Sequence, residues 1–220
     1  MIEDLFGVWD AAAAGLPARE VLVPDTLLLR GFLLAHEEAL LDALRQVITE
    51  APFRSMTTRG GLPMSAVTTG CGDYGWTSGA GGYGYAALDP LRGQPWPAMP
   101  VLFRTLAEAA AAEAGFADFS PDACLINRYR PGAKMGLHQD KDEQDMTQPI
   151  VSFSFGLPAR FQFGGSSRSG GARQIPLLHG DAFVWGGTAR LNFHGVLPVA
   201  EGHHPRMGPQ RISLTFRRAK

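Results

Sequence analysis

Apolar and polar positions repeat with two different periods along this chain, and the change between them falls near residue 120. Between His36 and Thr49, Leu40, Leu41, Leu44, Val47 and Ile48 recur at helical spacing. Glu37, Glu38, Asp42, Arg45 and Gln46 fill much of the other face, which predicts an amphipathic helix with one buried stripe. A second helix is predicted from near Pro100, a residue tolerated in a first turn, through Val101, Leu102 and Leu106 to an alanine-rich end stopped by Gly115. From Ala123 onward the pattern turns to short alternating runs: Ala123 to Arg130, Ile150 to Gly156, Arg160 to Phe163, Arg173 to Leu178, Asp181 to Trp185, Arg190 to Val196 and Gln210 to Arg218. Pro131-Gly132, Pro158, Gly164-Gly165, Gly170-Gly171, Gly180 and Gly186-Gly187 mark the turns between them. That many short strands must close on themselves or pair as two sheets. The predicted class is α+β and mainly β, a jelly roll or double-stranded β-helix with the N-terminal helices on its outer face.

Between the two helices, residues 60–97 hold ten glycines interleaved with Trp76, Tyr83, Tyr85 and Trp96. So much glycine argues against a rigid core element, and long aromatic-bearing loops in a compact domain usually cover a site. A flexible surface insertion with a few aromatics tucked beneath it is the alternative. The chain is accordingly divided into one domain, 1–220, with 53–97 as an aromatic, glycine-rich lid and 121–220 as the jelly-roll core.

In the last strand Ile212, Leu214 and Phe216 alternate with Arg211, Ser213, Thr215 and Arg217. Leu125, Asn127 and Tyr129 put a similar polar and aromatic mixture on one face of an earlier strand, so the two together could line a barrel mouth that binds something anionic. His138-Gln139-Asp140 sets an imidazole and a carboxylate two residues apart, on one side of an extended chain. His194 lies on a late run that antiparallel pairing could bring opposite them. Two histidines and one carboxylate on one face of an octahedron leave positions for a chelating co-substrate and dioxygen, as in non-haem Fe(II) oxygenases. The rival His179-Gly180-Asp181 reads as a tight turn capped by Asp181, His203-His204 as a solvated pair, and His36 as a helix start without a chemical role.

Composition narrows the function. A formal net charge of -1 gives no global basic field, so any nucleic-acid contact must be local and short. The two cysteines, Cys71 and Cys124, are too few for a disulfide framework and lack zinc-site spacing, which fits reduced thiols. An acidic N-terminus and an Ala11 to Ala14 run too short for a signal core or a span place the chain in the cytoplasm, away from membranes.

Taken together, Pro121 to Tyr129, His138-Gln139-Asp140-Lys141-Asp142-Glu143, Pro149 to Ser152, Gly156 to Ala159, Phe161 to Gly165, His179-Gly180-Asp181, Val184 to Gly187 and Leu214 to Arg217 closely resemble the AlkB family. Trp76 and the segment Pro95 to Pro100 resemble its bacterial members, and the likeness runs over nearly the whole chain. The resemblance implies that His138, Asp140 and His194 hold Fe(II). It further implies that Asn127, Tyr129, Arg211 and Arg217, with Leu125 and Ser213 beside them, hold 2-oxoglutarate, and that O2 is the oxidant. A planar guanidinium suits a dicarboxylate better than an ammonium does. The implied reaction removes alkyl groups from 1-methyladenine and 3-methylcytosine type bases, with release of formaldehyde, succinate and CO2.

A base must be flipped out to reach the iron, and the resemblance places Trp76 and the edge of His194 around it, with Tyr83 and Tyr85 in the same cover and Asp142 as the catalytic contact near the exocyclic nitrogen. Phosphates would meet Lys134, Lys141, Arg168 and Arg59. The implied partner is alkylated DNA, single- or double-stranded, with RNA as a further candidate, and the implied state is a monomer. Two positions depart from the family: Ser213 stands where Asn is usual and has a shorter reach, and Leu62 stands where Tyr is frequent. The competing readings are a 2-oxoglutarate oxygenase acting on another substrate, and a zinc hydrolase or binding barrel with the three ligands in a structural role.

Overall fold

The described residues, 15–58, 60–79 and 82–220 of a computed structural model, begin with the paired short strands β1 (Arg19–Glu20) and β2 (Thr26–Leu29). Helix α1 (Glu37–Glu50) follows, with Leu40, Leu41, Leu44 and Val47 buried and Glu37 and Glu38 in the first turn, where carboxylates suit the helix dipole. Next come β3 (Val67–Gly72), the antiparallel hairpin β4 (Gly75–Gly79) and β5 (Gly82–Ala86), and the short pair β6 (Leu88–Asp89) and β7 (Gln94–Pro95). Helix α2 (Val101–Glu113) starts directly after Pro100 and buries Phe103, Leu106, Ala107, Ala110 and Ala111.

The remainder is strand: β8 (Ala123–Tyr129), β9 (Met135–His138), β10 (Ile150–Gly156), β11 (Ala159–Gly164), β12 (Ala172–Leu177), β13 (Ala182–Trp185), β14 (His194–Val196) and β15 (Arg211–Arg217). Among the described residues these form a seven-stranded sheet, β1-β2-β13-β10-β15-β8-β3, and a four-stranded sheet, β12-β11-β14-β9, with every pairing antiparallel. The fold is therefore mostly β with few helices.

Strand alternation sorts side chains into two cores. Cys124 and Ile126 of β8, Phe153 and Phe155 of β10 and Ile212, Leu214 and Phe216 of β15 pack with the buried stripes of α1 and α2. On the sheet's other face Tyr129, Ile150, Phe183 and Trp185 meet Phe161, Phe163, Ile175, Leu177 and Val196 from the four-stranded sheet. The polar positions of β15 are buried as well, so Arg211, Ser213, Thr215 and Arg217 face the protein interior rather than water.

Several sequence expectations change. The glycine-rich stretch is not free of core elements: β3 is an edge strand of the main sheet, in register with β8, and its last five residues are buried. Its glycines serve close approach. A Cβ on Gly72, at φ 116°, would lie 2.4 Å from the Asp122 carbonyl oxygen. The run from Arg190 to Val196 is strand only from His194, because Gly187–Ala189 form a single 3-10 turn before it. His204 is not solvated like its neighbour His203: its ring stacks on His179 with centroids 4.2 Å apart. The turn at Gly180 is as expected, at φ 85°, with Asp181 accepting from the Leu178 and Gly31 amides and from Arg30. No helix among the described residues is long and apolar enough to cross a membrane.

Gly75 shows what the packing demands. A Cβ there would stand 2.1 Å from the ring of Trp96, which is buried, donates through Nε1 to the Ala86 carbonyl and lies under the Arg54 guanidinium. Gly75→Ala is therefore expected to cost about 1–3 kcal/mol by overpacking. Gly84→Ala, whose Cβ meets nothing within 4 Å, should stay within about 0.5 kcal/mol of the parent. Thermal unfolding of the two variants side by side checks this, and equal losses would contradict it.

Candidate active site

The pairing of β9 with β14 sets His194 directly opposite His138, with ring centroids 4.4 Å apart. Asp140 follows β9 by two residues and returns its carboxylate to the same point. Its Oδ1 lies 3.6 Å from His138 Nε2 and its Oδ2 3.6 Å from His194 Nε2. One ligand atom from each of the three lies within 4.8 Å of the others.

Each imidazole is oriented from behind. His138 Nδ1 donates to the Gly136 carbonyl at 2.9 Å and His194 Nδ1 to the Asn192 carbonyl at 3.0 Å, so in each ring the free lone pair is on Nε2, facing the partners. Burial pushes His138 below the usual imidazole pKa, with His194 reinforcing and Asp140 opposing, which keeps it in the neutral form a metal needs. Burial alone would raise the Asp140 carboxyl, but Arg217 and the two imidazoles hold it well below the usual carboxylate range. Two imidazole nitrogens and one carboxylate form a donor set suited to an open-sided divalent transition metal.

These three groups line a cavity of about 750 Å³ whose wall includes Leu125, Asn127 and Tyr129 of β8 with Arg211, Ser213 and Arg217 of β15. Register explains the grouping, since Arg211 is opposite Tyr129 and Ser213 opposite Asn127. The two arginines have different surroundings. Arg211 is 1% exposed, donates through Nη2 to Ser154 Oγ at 3.1 Å, and has Nε and Nη1 buried without a partner. Asn127 Oδ1 is unanswered in the same way. Unpaired buried donors on a cation are costly, and an anionic ligand with carboxylate oxygens would satisfy them. Arg217 is already engaged, donating to Asp140 Oδ2 through Nε at 3.0 Å and Nη2 at 2.6 Å.

At the mouth, hairpin β4–β5 presents Trp76, Tyr83 and Tyr85. Trp76 stacks on Tyr83 with centroids 5.5 Å apart, and its Nε1 donates to Asp142 Oδ2 at 2.9 Å. Lys134, Lys141, Asp142 and Arg168 are exposed on the rim, Arg168 donating to the Leu137 carbonyl at 2.8 Å. Leu62 borders the cavity and is 70% exposed. Arg59 lies outside the described residues.

Sequence reasoning missed Glu143 and Arg190. Glu143 is buried, accepting from Tyr85 Oη at 2.7 Å and from Arg190 Nη2 at 3.0 Å. Arg190 also donates to the main-chain oxygens of Asp140 and Gln148, at 2.8 and 2.9 Å. The available signal was a glutamate three residues after the ligand carboxylate, but a charged residue in so polar a loop gives no sign that it is buried.

A family model described as the 2OG-Fe(II) oxygenase superfamily matches residues 25–217. The chain is 51% identical to the alpha-ketoglutarate-dependent dioxygenase AlkB of Salmonella typhimurium, over 96% of this chain and 97% of that protein. It is 49% identical to the AlkB of Escherichia coli over the same shares. Among solved structures, OsALKBH1 superposes with a TM-score of 0.78 at 28% identity, covering 91% of this chain and 99% of that one.

Asp140→Asn, nearly isosteric, removes the charge that Arg217 and a bound cation would share. Metal affinity is expected to fall by more than the roughly 10–100-fold that changes behind a ligand produce. Anaerobic Co(II) titration with circular dichroism as a folding control checks it, and parental affinity would move the metal site elsewhere.

Proposed function

Since the chain belongs to the 2OG-Fe(II) oxygenase superfamily and, within it, to the AlkB dioxygenases, we propose that it oxidatively dealkylates bases of the 1-methyladenine and 3-methylcytosine type in DNA. The reaction releases formaldehyde, succinate and CO2, and is a direct-reversal repair. One observation carries this reading: two imidazoles and a carboxylate converge in the cavity whose wall holds a buried guanidinium with unanswered N–H groups.

In this reading His138, Asp140 and His194 hold Fe(II). Arg211 takes the distal carboxylate of 2-oxoglutarate, with Asn127, Tyr129, Ser213 and Leu125 around it. Burial raises the Tyr129 phenol, which therefore remains an O–H donor. Arg217, bonded to Asp140, suits the end of the co-substrate nearest the metal. Bound together, Fe(II), 2-oxoglutarate and O2 supply the oxidising power that hydroxylates the N-linked carbon. The carbon then leaves as formaldehyde, because the alkylated ring nitrogen is cationic and departs readily.

The residues at the mouth select and hold the base. A paired base cannot reach the cavity, so it must be flipped out and gripped by its faces. Trp76, Tyr83 and Tyr85 offer one aromatic surface and His194 an opposing edge, and such stacking is worth about 1–3 kcal/mol per base. Asp142, oriented by Trp76 Nε1, suits the exocyclic nitrogen of a cationic base. Lys134, Lys141 and Arg168 suit a short run of phosphates. We read the eight strands that residues 121–220 contribute to the two sheets as the double-stranded β-helix, extended by β1, β2 and β3, and the hairpin within 53–97 as the lid, in one domain over 1–220. DNA of either strandedness, RNA as a further substrate, a monomer and a cytoplasmic setting complete the proposal.

Anaerobic addition of Fe(II) and 2-oxoglutarate should produce the visible charge-transfer band of a chelated keto acid, and a methylated single-stranded oligonucleotide should yield formaldehyde in step with succinate. Arg211→Met should raise the 2-oxoglutarate KM by about tenfold or more, the value of a hydrogen bond to a charged group. Succinate without formaldehyde would assign the oxygenase another substrate. No band in metal-loaded protein would favour a zinc hydrolase or a binding barrel.

A further inference from the structure

The buried carboxylate of Glu143 lies between the lid hairpin and the ligand Asp140, and it reaches Asp140 by two routes. Its Oε1 accepts from Tyr85 Oη on β5 at 2.7 Å and lies 3.3 Å from Arg217 Nε. Arg217 in turn grips Asp140 Oδ2 with two N–H groups. Its Oε2 accepts from Arg190 Nη2, and Arg190 Nη1 donates to the Asp140 main-chain oxygen. Side chain and backbone of Asp140 are therefore both tied to this one carboxylate, and the hydroxyl of a lid tyrosine shares it.

We propose that Glu143 is a positioning residue through which docking of the β4–β5 hairpin aligns Asp140 for metal binding and turnover. This rests on the oxygenase reading above. The argument is one of competing donors. With Tyr85 in place, Glu143 Oε1 is partly satisfied, and Arg217 Nε sits closer to Asp140 Oδ2, at 3.0 Å, than to Glu143, at 3.3 Å. Removal of the tyrosine hydroxyl leaves a buried carboxylate oxygen short of a donor, and in a low-dielectric interior that deficit draws the nearest cation toward it. Arg217 is that cation, and its shift loosens the grip on Asp140. A docked hairpin thus favours an aligned ligand, and a lifted one relaxes it, so that co-substrate oxidation is tied to a base being held under the lid.

The test uses the full chain with Tyr85→Phe, which deletes one hydroxyl and leaves Glu143, Arg217 and Asp140 in place, and with Glu143→Gln, which keeps an acceptor and removes the charge. Tyr85→Phe is expected to weaken Co(II) binding in anaerobic titration, and to raise the succinate formed per formaldehyde, by about fivefold, the scale of one hydrogen bond. In the Glu143→Gln background, where no carboxylate is left to draw Arg217 away, the same Tyr85→Phe change should alter neither readout. Tyr85→Phe alone decides the matter if Glu143→Gln fails to fold. Parental Co(II) affinity and parental succinate-to-formaldehyde ratio in Tyr85→Phe, with only the oligonucleotide KM raised, would overturn the coupling and leave Tyr85 as a base contact. A parent protein that releases no formaldehyde fails the substrate reading instead, and the Co(II) comparison then decides the coupling by itself.

Discussion

Two short strands, β9 and β14, pair at the edge of the four-stranded sheet, and the chemistry of the cavity depends on that pairing. Antiparallel register sets His194 against His138 across more than fifty residues of sequence. Each ring is pinned from behind by a carbonyl within two residues of itself. A slip by one residue would turn either side chain to the opposite face of its strand and dissolve the cluster. The apolar contacts beneath these strands, Phe161 and Trp185 against His194, hold the register in place. Core packing and ligand geometry are here one constraint.

Around this point the protein buries an unusual amount of charge. Arg190, Arg211, Arg217, Asp140 and Glu143 all have side chains that are largely inaccessible, and isolated burial of any one would be expensive. Four of them answer one another: two guanidiniums and two carboxylates in one network. Arg211 stands apart, with the three N–H groups on Nε and Nη1 unused and the face of Tyr129 beside it at 5.4 Å. A stability argument cannot account for a cation left that way. A ligand argument can, because the missing acceptors are what a carboxylate supplies.

Much of this was legible in the sequence because it rests on period. Alternation in Arg211 to Arg217 separates an apolar from a polar face, and each face is buried where that pattern puts it, against the helices and against the cavity. The helical stripes of α1 and α2 were equally plain. What escaped was anything set by tertiary contact. Gly70, Gly72 and Gly75 read as flexibility when counted, but each marks a place where a carbonyl or the Trp96 ring comes too near for a Cβ. Met135 to His138 is too short to show a period, so β9 is missing from the predicted strands. Arg211 and Arg217 are identical in sequence terms, and only their neighbours, Ser154 for one and Asp140 with Glu143 for the other, give them separate roles.

Burial falls from the floor of the cavity to its mouth, and this gradient bears on what the site can discriminate. The ligand cluster and both arginines are packed and cross-bonded, so their geometry is fixed before anything binds, as a site that handles a reactive oxidant requires. Tyr83, Lys134, Lys141, Asp142 and Arg168 are exposed and stand on a hairpin or on loops. Groups of that kind adapt to a substrate rather than dictate its shape, and with a net charge of -1 the chain has no broad basic field to hold a duplex. In the proposed reading, selection falls to what enters the cavity: a flat, cationic, unpaired base would satisfy aromatic faces and Asp142 together, whereas a neutral paired one would have to be unstacked with nothing for that carboxylate in return. On that proposal, a rigid chemical floor beneath an adaptable mouth makes the lesion, more than the surrounding strand, the thing this protein reads.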